Sequence, residues 1–116
     1  MWICLNDAFF SIVDPEKGGN NLLVRARRKG DLERYFPGRK VERTVGRDYL
    51  FRALVPRDVV AATIAASISD IEYPNFKNSV RDDKLHTAYS GFWNIMSRVQ
   101  EVPPYSNVRT RAGKLL

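Results

Sequence analysis

Side chains alternate with a period of two along two stretches of this chain, as expected of strands with one buried and one open face. In Leu22 to Arg28, the side chains of Leu22, Val24 and Ala26 point one way, and Leu23, Arg25 and Arg27 the other. In Tyr49 to Val55, Tyr49, Phe51, Ala53 and Val55 share one face, with Leu50, Arg52 and Leu54 opposite. Trp2 to Leu5 and Phe9 to Val13 are short apolar, β-prone runs, and the Asn6, Asp7, Ala8 link between them permits only an antiparallel hairpin. Asp14 to Asn21 is a run of turn formers that marks an exposed loop. Lys40 to Val45 predicts a further strand with poorer alternation, followed by a turn at Gly46, Arg47 and Asp48.

In the second half of the chain the period changes to three or four residues. Before that, Asp31 is placed to cap a short helix, Leu32 to Phe36, closed by Pro37 and Gly38. Pro56 stops the preceding strand and suits the first turn of a helix over Asp58 to Asp70, with Val60, Ile64, Ile68 and Ile71 on one spacing. Tyr73, Pro74 and Asn75 break that helix, and Phe76 to Val80 adds a helical turn. Asp82 or Asp83 caps the last helix, whose Leu85, Tyr89, Phe92, Met96 and Val99 fall on one stripe and read as core. Pro103 and Pro104 end it. The order of elements predicts an α+β fold: an antiparallel sheet of about five strands, a short helix after the third, and two C-terminal helices packed on one face. The expected organisation is a single domain over residues 1–102 followed by a basic, flexible or partner-bound tail, 103–116, with Arg109, Arg111 and Lys114.

Composition adds charge to this picture. A chain of 116 residues with a net charge of +6 and a pI near 9.8 favours contact with something anionic. Cys4 is the single cysteine, so neither an internal disulfide nor a cysteine-based zinc site is expected, and Cys4 reads as a small buried apolar group. No apolar run approaches the roughly 18 residues of a membrane span. With no secretory signal to read either, a cytoplasmic setting is expected. Gly18 and Gly19 lack the flanking pattern of a phosphate cradle, and no GxSxG, HExxH or paired-cysteine element occurs. No cofactor and no metal is predicted, and nothing spells out a reaction.

The alternation puts Arg25, Arg27 and Arg52 on the sheet face opposite the apolar one. If helices roof the apolar side, these guanidiniums share an open surface, and arginine forks match phosphate and carboxylate geometry at two points. The plainer expectation is a solvated face with local ion pairs to Glu42 and Asp48. This face shows no aromatic platform of the kind single-strand readers use. His86, one heptad before Trp93, has a reference pKa near 6.5 that suits general-base work, and reads more simply as a surface or packing histidine. Tyr73, Asn75 and Lys77 straddle Pro74 and read as a connector, or as a recognition loop on a rigid scaffold.

Trp2-Ile3 with FFSIV (Phe9 to Val13), LLVRAR (Leu22 to Arg27), Asp48-Tyr49, IEYPNFK (Ile71 to Lys77) and the Tyr89, Trp93, Met96, Gln100 spacing occur together. Over about residues 1–100 this set resembles an uncharacterised family of short bacterial and phage-borne proteins. The resemblance implies a shared fold and a mobile-element setting, with no activity attached. The function expected is therefore a non-catalytic binding protein that engages a nucleic acid, a nucleoprotein complex or an acidic protein through the basic sheet face. In a phage setting it would inhibit a host defence complex. The alternatives are a small toxin-type ribonuclease, whose usual order of helices before sheet differs from this one, and a self-assembling structural protein.

Overall fold

A computed structural model describes residues 1–106, so the expected tail's Arg109, Arg111 and Lys114 lie outside the described residues. Among the described residues the chain order is β1 (Trp2–Cys4), β2 (Phe9–Val13), β3 (Asn21–Ala26), α1 (Asp31–Tyr35), β4 (Glu42–Arg43), β5 (Phe51–Pro56), α2 (Arg57–Ser69), α3 (Phe76–Ser79) and α4 (Asp83–Ser97). The strands form one sheet in the order β1-β2-β3-β5-β4, every pair antiparallel. This is the α+β class that the alternation predicts.

One face of the sheet carries the core. Phe10 and Ile12 of β2, Val24 and Ala26 of β3, and Ala53 and Val55 of β5 are buried there, under Leu32 and Phe36 from α1 and Val60 from α2. Phe10 meets Tyr35 and Phe36 edge to face, with ring centroids 5.4 and 5.7 Å apart. Tyr35 in turn donates its hydroxyl proton to Asp7 in the β1–β2 link, so α1 is tied to the hairpin as well as packed on it. Of the α2 stripe, Val60 is buried and Ile64 packs at the margin, while Ile68 and Ile71 stand exposed.

Four expectations change. The strand over Lys40 to Val45 shrinks to Glu42–Arg43, and the fifth strand begins at Phe51 instead of Tyr49. The Thr44 N–H donates to Leu50 O at 2.7 Å, next in register after Arg43 and Phe51, and closes a turn over residues 45–49 that lies outside the ladder. Asp31 does not cap α1, because the cap position falls to Gly30 and the buried Asp31 carboxylate pairs instead with Arg28 and Arg34 at 3.6 and 3.3 Å. The last helix is core over only half its length. Leu85 and Tyr89 are buried with Val80, against Cys4, Phe9 and Phe76, whereas Phe92, Met96 and Val99 on the same stripe are exposed. The stripe runs past the end of the body it packs on.

That second cluster decides how α4 sits. Cys4 pairs with Phe9 across the hairpin, on the face opposite Phe10, so the first half of α4 leans over the reverse side of the sheet at its β1–β2 end. The Tyr89 hydroxyl lies 2.8 Å from Leu5 O and 3.0 Å from Ala8 O and shares its proton between these link carbonyls. Burial, and then the neighbouring Cys4, push its pKa up.

Asp82 is the cap of α4, as expected: its carboxylate accepts from Leu85 N at 2.9 Å and pairs with Arg28 at 3.1 Å. The cap hydrogen bond from Leu85, aided by Arg28, holds its pKa below the ordinary 3.8. A carboxyl depressed in the folded state stabilises the fold above its unfolded pKa and loses that contribution as pH falls through the folded value. Protection of the first turn of α4 against hydrogen exchange should therefore fall below about pH 4. Asp82→Asn, which keeps an acceptor and loses the titration, should flatten that dependence; an unchanged profile in the variant would assign the acid limb elsewhere.

Candidate functional site

The turn that ends at Tyr49 builds the site. Thr44 Oγ1 donates to Tyr49 O at 2.9 Å, Arg47 N donates to Thr44 O at 3.3 Å, and Gly46 takes φ 84°, a left-handed value that costs glycine nothing. This fold of the backbone sets Asp48 over the reverse face and turns the Tyr49 ring down onto it. The alternation placed Tyr49 on the core face with Phe51. Because the ladder starts only at Phe51, the parity does not carry back through the turn, and Tyr49 is buried on the other side, at 5% exposure.

Arg25, Arg27 and Arg52 do come together. Arg25 and Arg52 are direct partners across β3 and β5, in a row that continues through Ser11 to Trp2 on one side and Glu42 on the other. Arg25 donates to Ser11 Oγ at 2.7 Å and to Asp48 Oδ2 at 3.2 Å. Arg52 donates to Thr44 Oγ1 at 3.2 Å and to Asp48 Oδ1 at 3.5 Å. Arg27 donates to the Asp48 backbone carbonyl at 3.0 Å. The guanidiniums of Arg25 and Arg27 also lie over the Tyr49 ring, 4.6 and 4.2 Å from its centroid. Both ring contacts are within cation–π range.

The expected ion pair with Asp48 is therefore present, while Glu42 leans toward Lys40, 4.0 Å away. Two guanidiniums, of Arg25 and Arg52, share the one Asp48 carboxylate and that of Arg27 holds the Asp48 backbone carbonyl, which leaves the cluster positive. The side chains of Arg25 and Arg52 are 17% and 13% exposed, so each presents an edge to solvent while the rest is packed. Among the described residues Arg25 Nε finds no acceptor.

Trp2 is the residue that strand reading missed. Its ring stands on the same face, 65% exposed, at the end of the Arg52-Arg25-Ser11 row, with an edge contact to Phe9 at 6.3 Å. An aromatic surface does accompany the arginines. The signal for it was the hairpin register: pairing Cys4 with Phe9 forces Trp2 opposite Ser11 and hence onto the arginine side.

The other candidates lie elsewhere. Asn75 caps α3, accepting from Asn78 N at 3.0 Å, and Tyr73 packs on Phe76, which packs on Tyr89, with centroids 5.8 and 5.3 Å apart. Tyr73 and Asn75 line a cavity of about 560 Å³ with Asp70, Glu72 and Arg81, and none of the three face arginines reaches it. Lys77 lies over the Trp93 ring, 4.8 Å from the centroid. His86 is half-buried on the first turn of α4, its backbone amide donating to Asp82 O at 2.8 Å. It is not among the residues that line the Tyr73 cavity.

Burial pushes the Cys4 thiol up from its ordinary range, which disfavours the thiolate that metal binding or nucleophilic attack requires. Among the described residues no three His, Cys, Asp or Glu side chains group in a way that would hold a metal ion, and no helix is long and apolar enough to cross a membrane. Comparison with protein-family models, curated proteins and solved structures finds no match to this chain, so the functional reading rests on the geometry above.

Proposed function

We propose that the protein is a non-catalytic binding module that engages an anionic partner, a nucleic acid or a nucleoprotein complex, through the arginine-bearing face of its sheet. The observation that carries this reading is the convergence of Arg25, Arg27 and Arg52 on Tyr49 and Asp48, on the sheet face opposite the one that α1 and α2 cover. Trp2 on the same row adds a stacking surface, which suits a backbone-tracking groove with sequence-tolerant ring contacts. The net charge of +6 supplies the long-range attraction. In the phage-borne setting that the sequence resemblance implies, such a module would act in the cytoplasm by covering the nucleic-acid or nucleoprotein surface of a host defence complex.

Binding of DNA or RNA oligonucleotides measured against salt tests the reading. Three arginine contacts to phosphate predict a log–log slope of about −2 to −3. Arg27→Ala, which removes the most solvent-exposed of the three, should reduce the slope by about 0.7–0.9 and weaken binding alike across sequences. No retention on DNA or RNA at about 50 mM salt would end the nucleic-acid reading.

A further inference from the structure

The arginine face runs directly into a groove. Where the first half of α4 leans over the sheet, a cavity of about 300 Å³ opens between them, walled by Phe9, Ala88, Tyr89 and Phe92 and rimmed by Arg27, Arg28 and Lys84. Its exposed lining is mostly apolar, and its charged members are Arg27, Arg28, Lys84 and the carboxylate of Asp31. The β2–β3 register that pairs Ser11 with Arg25 places Phe9 level with Arg27, so the groove and the arginine row meet at that one side chain.

The rim charges are unequal. Arg28 is held by Asp31 and by Asp82 at 3.6 and 3.1 Å. Arg27 donates to a backbone carbonyl, and among the described residues neither Arg27 nor Lys84 forms an ion pair with a carboxylate. Two cations not neutralised by carboxylates, Arg27 and Lys84, thus stand among the apolar lining of the groove. A ligand suited to this lining has a ring that packs on aromatic side chains and anionic groups close to it. An unstacked base between its two flanking phosphates has that form.

We infer that this groove takes one unstacked base of a single-stranded nucleic acid, with the flanking phosphates on Arg27 and Lys84 and the strand continuing over Arg25 and Arg52. The inference rests on the anionic-partner reading above and narrows it from nucleic acid in general to single strands. A duplex would have to unpair and flip a base to use the groove, whereas a single strand gives up only stacking.

Fluorescence anisotropy with a labelled strand of about ten nucleotides, alone and as a duplex of equal length, tests the inference in the full chain. The single strand should bind about tenfold tighter than the duplex. Ala88→Trp, which fills the slot from an exposed helix position, should cut single-strand affinity about tenfold and leave duplex affinity unchanged. Phe92→Ala, at a partly exposed ring, should act in the same direction and guards against a misfolded Ala88→Trp. Equal affinity for strand and duplex, or an Ala88→Trp protein that binds the strand as the parent does, overturns the groove assignment while the arginine-face reading stands. No binding to either nucleic acid overturns both, and capture instead of an acidic peptide bearing an aromatic anchor would assign the groove to a protein partner.

Discussion

Phe10→Ala should lose about 3–5 kcal/mol of folding stability, the largest effect of any single truncation in this domain. Phe10 is fully buried at the centre of the hairpin strand, and its ring is the common contact of Tyr35 and Phe36. Truncation removes transferred apolar area and leaves a void between the sheet and α1. The flanking aromatics cannot collapse into that void, because Tyr35 is also anchored to Asp7. A domain of this size has about 5–15 kcal/mol in total, so the variant should be close to unfolded at 37 °C. Urea denaturation followed by circular dichroism measures the loss. A change below about 1 kcal/mol would mean that the α1 aromatics pack elsewhere.

Tyr89→Ala should cost nearly as much, about 3–5 kcal/mol, and Tyr89→Phe should separate the two sources of that cost. The ring packs with Phe76 and the second cluster, while the hydroxyl serves Leu5 O and Ala8 O. Ala8 O keeps a second donor in Leu5 N at 2.8 Å, so loss of the hydroxyl chiefly strands Leu5 O. Tyr89→Phe should therefore cost about 1–2 kcal/mol, lowering Tm by about 4 °C for each kcal/mol lost. The two variants should also differ in kind: Tyr89→Ala frees α4 from the hairpin and exposes the groove wall, whereas Tyr89→Phe leaves the groove in place. If Tyr89→Phe melted with the parent protein, the hydroxyl would have no role in seating α4.

The parts of the fold legible in sequence are those where one local rule governs. Leu22, Val24 and Ala26 alternate with Arg25 and Arg27 in a strand paired on both sides, and their faces follow as predicted. Pro56 ends a strand and opens a helix, and Asp82 caps α4, because cap and proline chemistry act within one turn. The misreadings come where a tertiary constraint replaces the local one. Alternation in twos does not hold at Tyr49, because the chain turns just before β5. Trp2 takes its face from a hairpin register that three residues of strand cannot specify by themselves. The α4 stripe predicts core along its whole length, yet amphipathicity says which side of a helix is apolar and nothing about how far the rest of the domain extends beneath it. The basic cluster was legible as three arginines on one face; its organisation around Asp48 and Tyr49, and its junction with the groove, depend on contacts 21–23 residues apart in the chain.

That organisation has an energetic consequence for any ligand. A free arginine on a surface samples many rotamers, and a partner that immobilises it gives up about 0.5–1.5 kcal/mol for each such side chain. Here the carboxylate of Asp48 and the ring of Tyr49 already restrict Arg25 and Arg27 before anything arrives. A phosphate docking as proposed would meet guanidiniums already partly ordered by folding, so more of the attraction would be left to show as affinity.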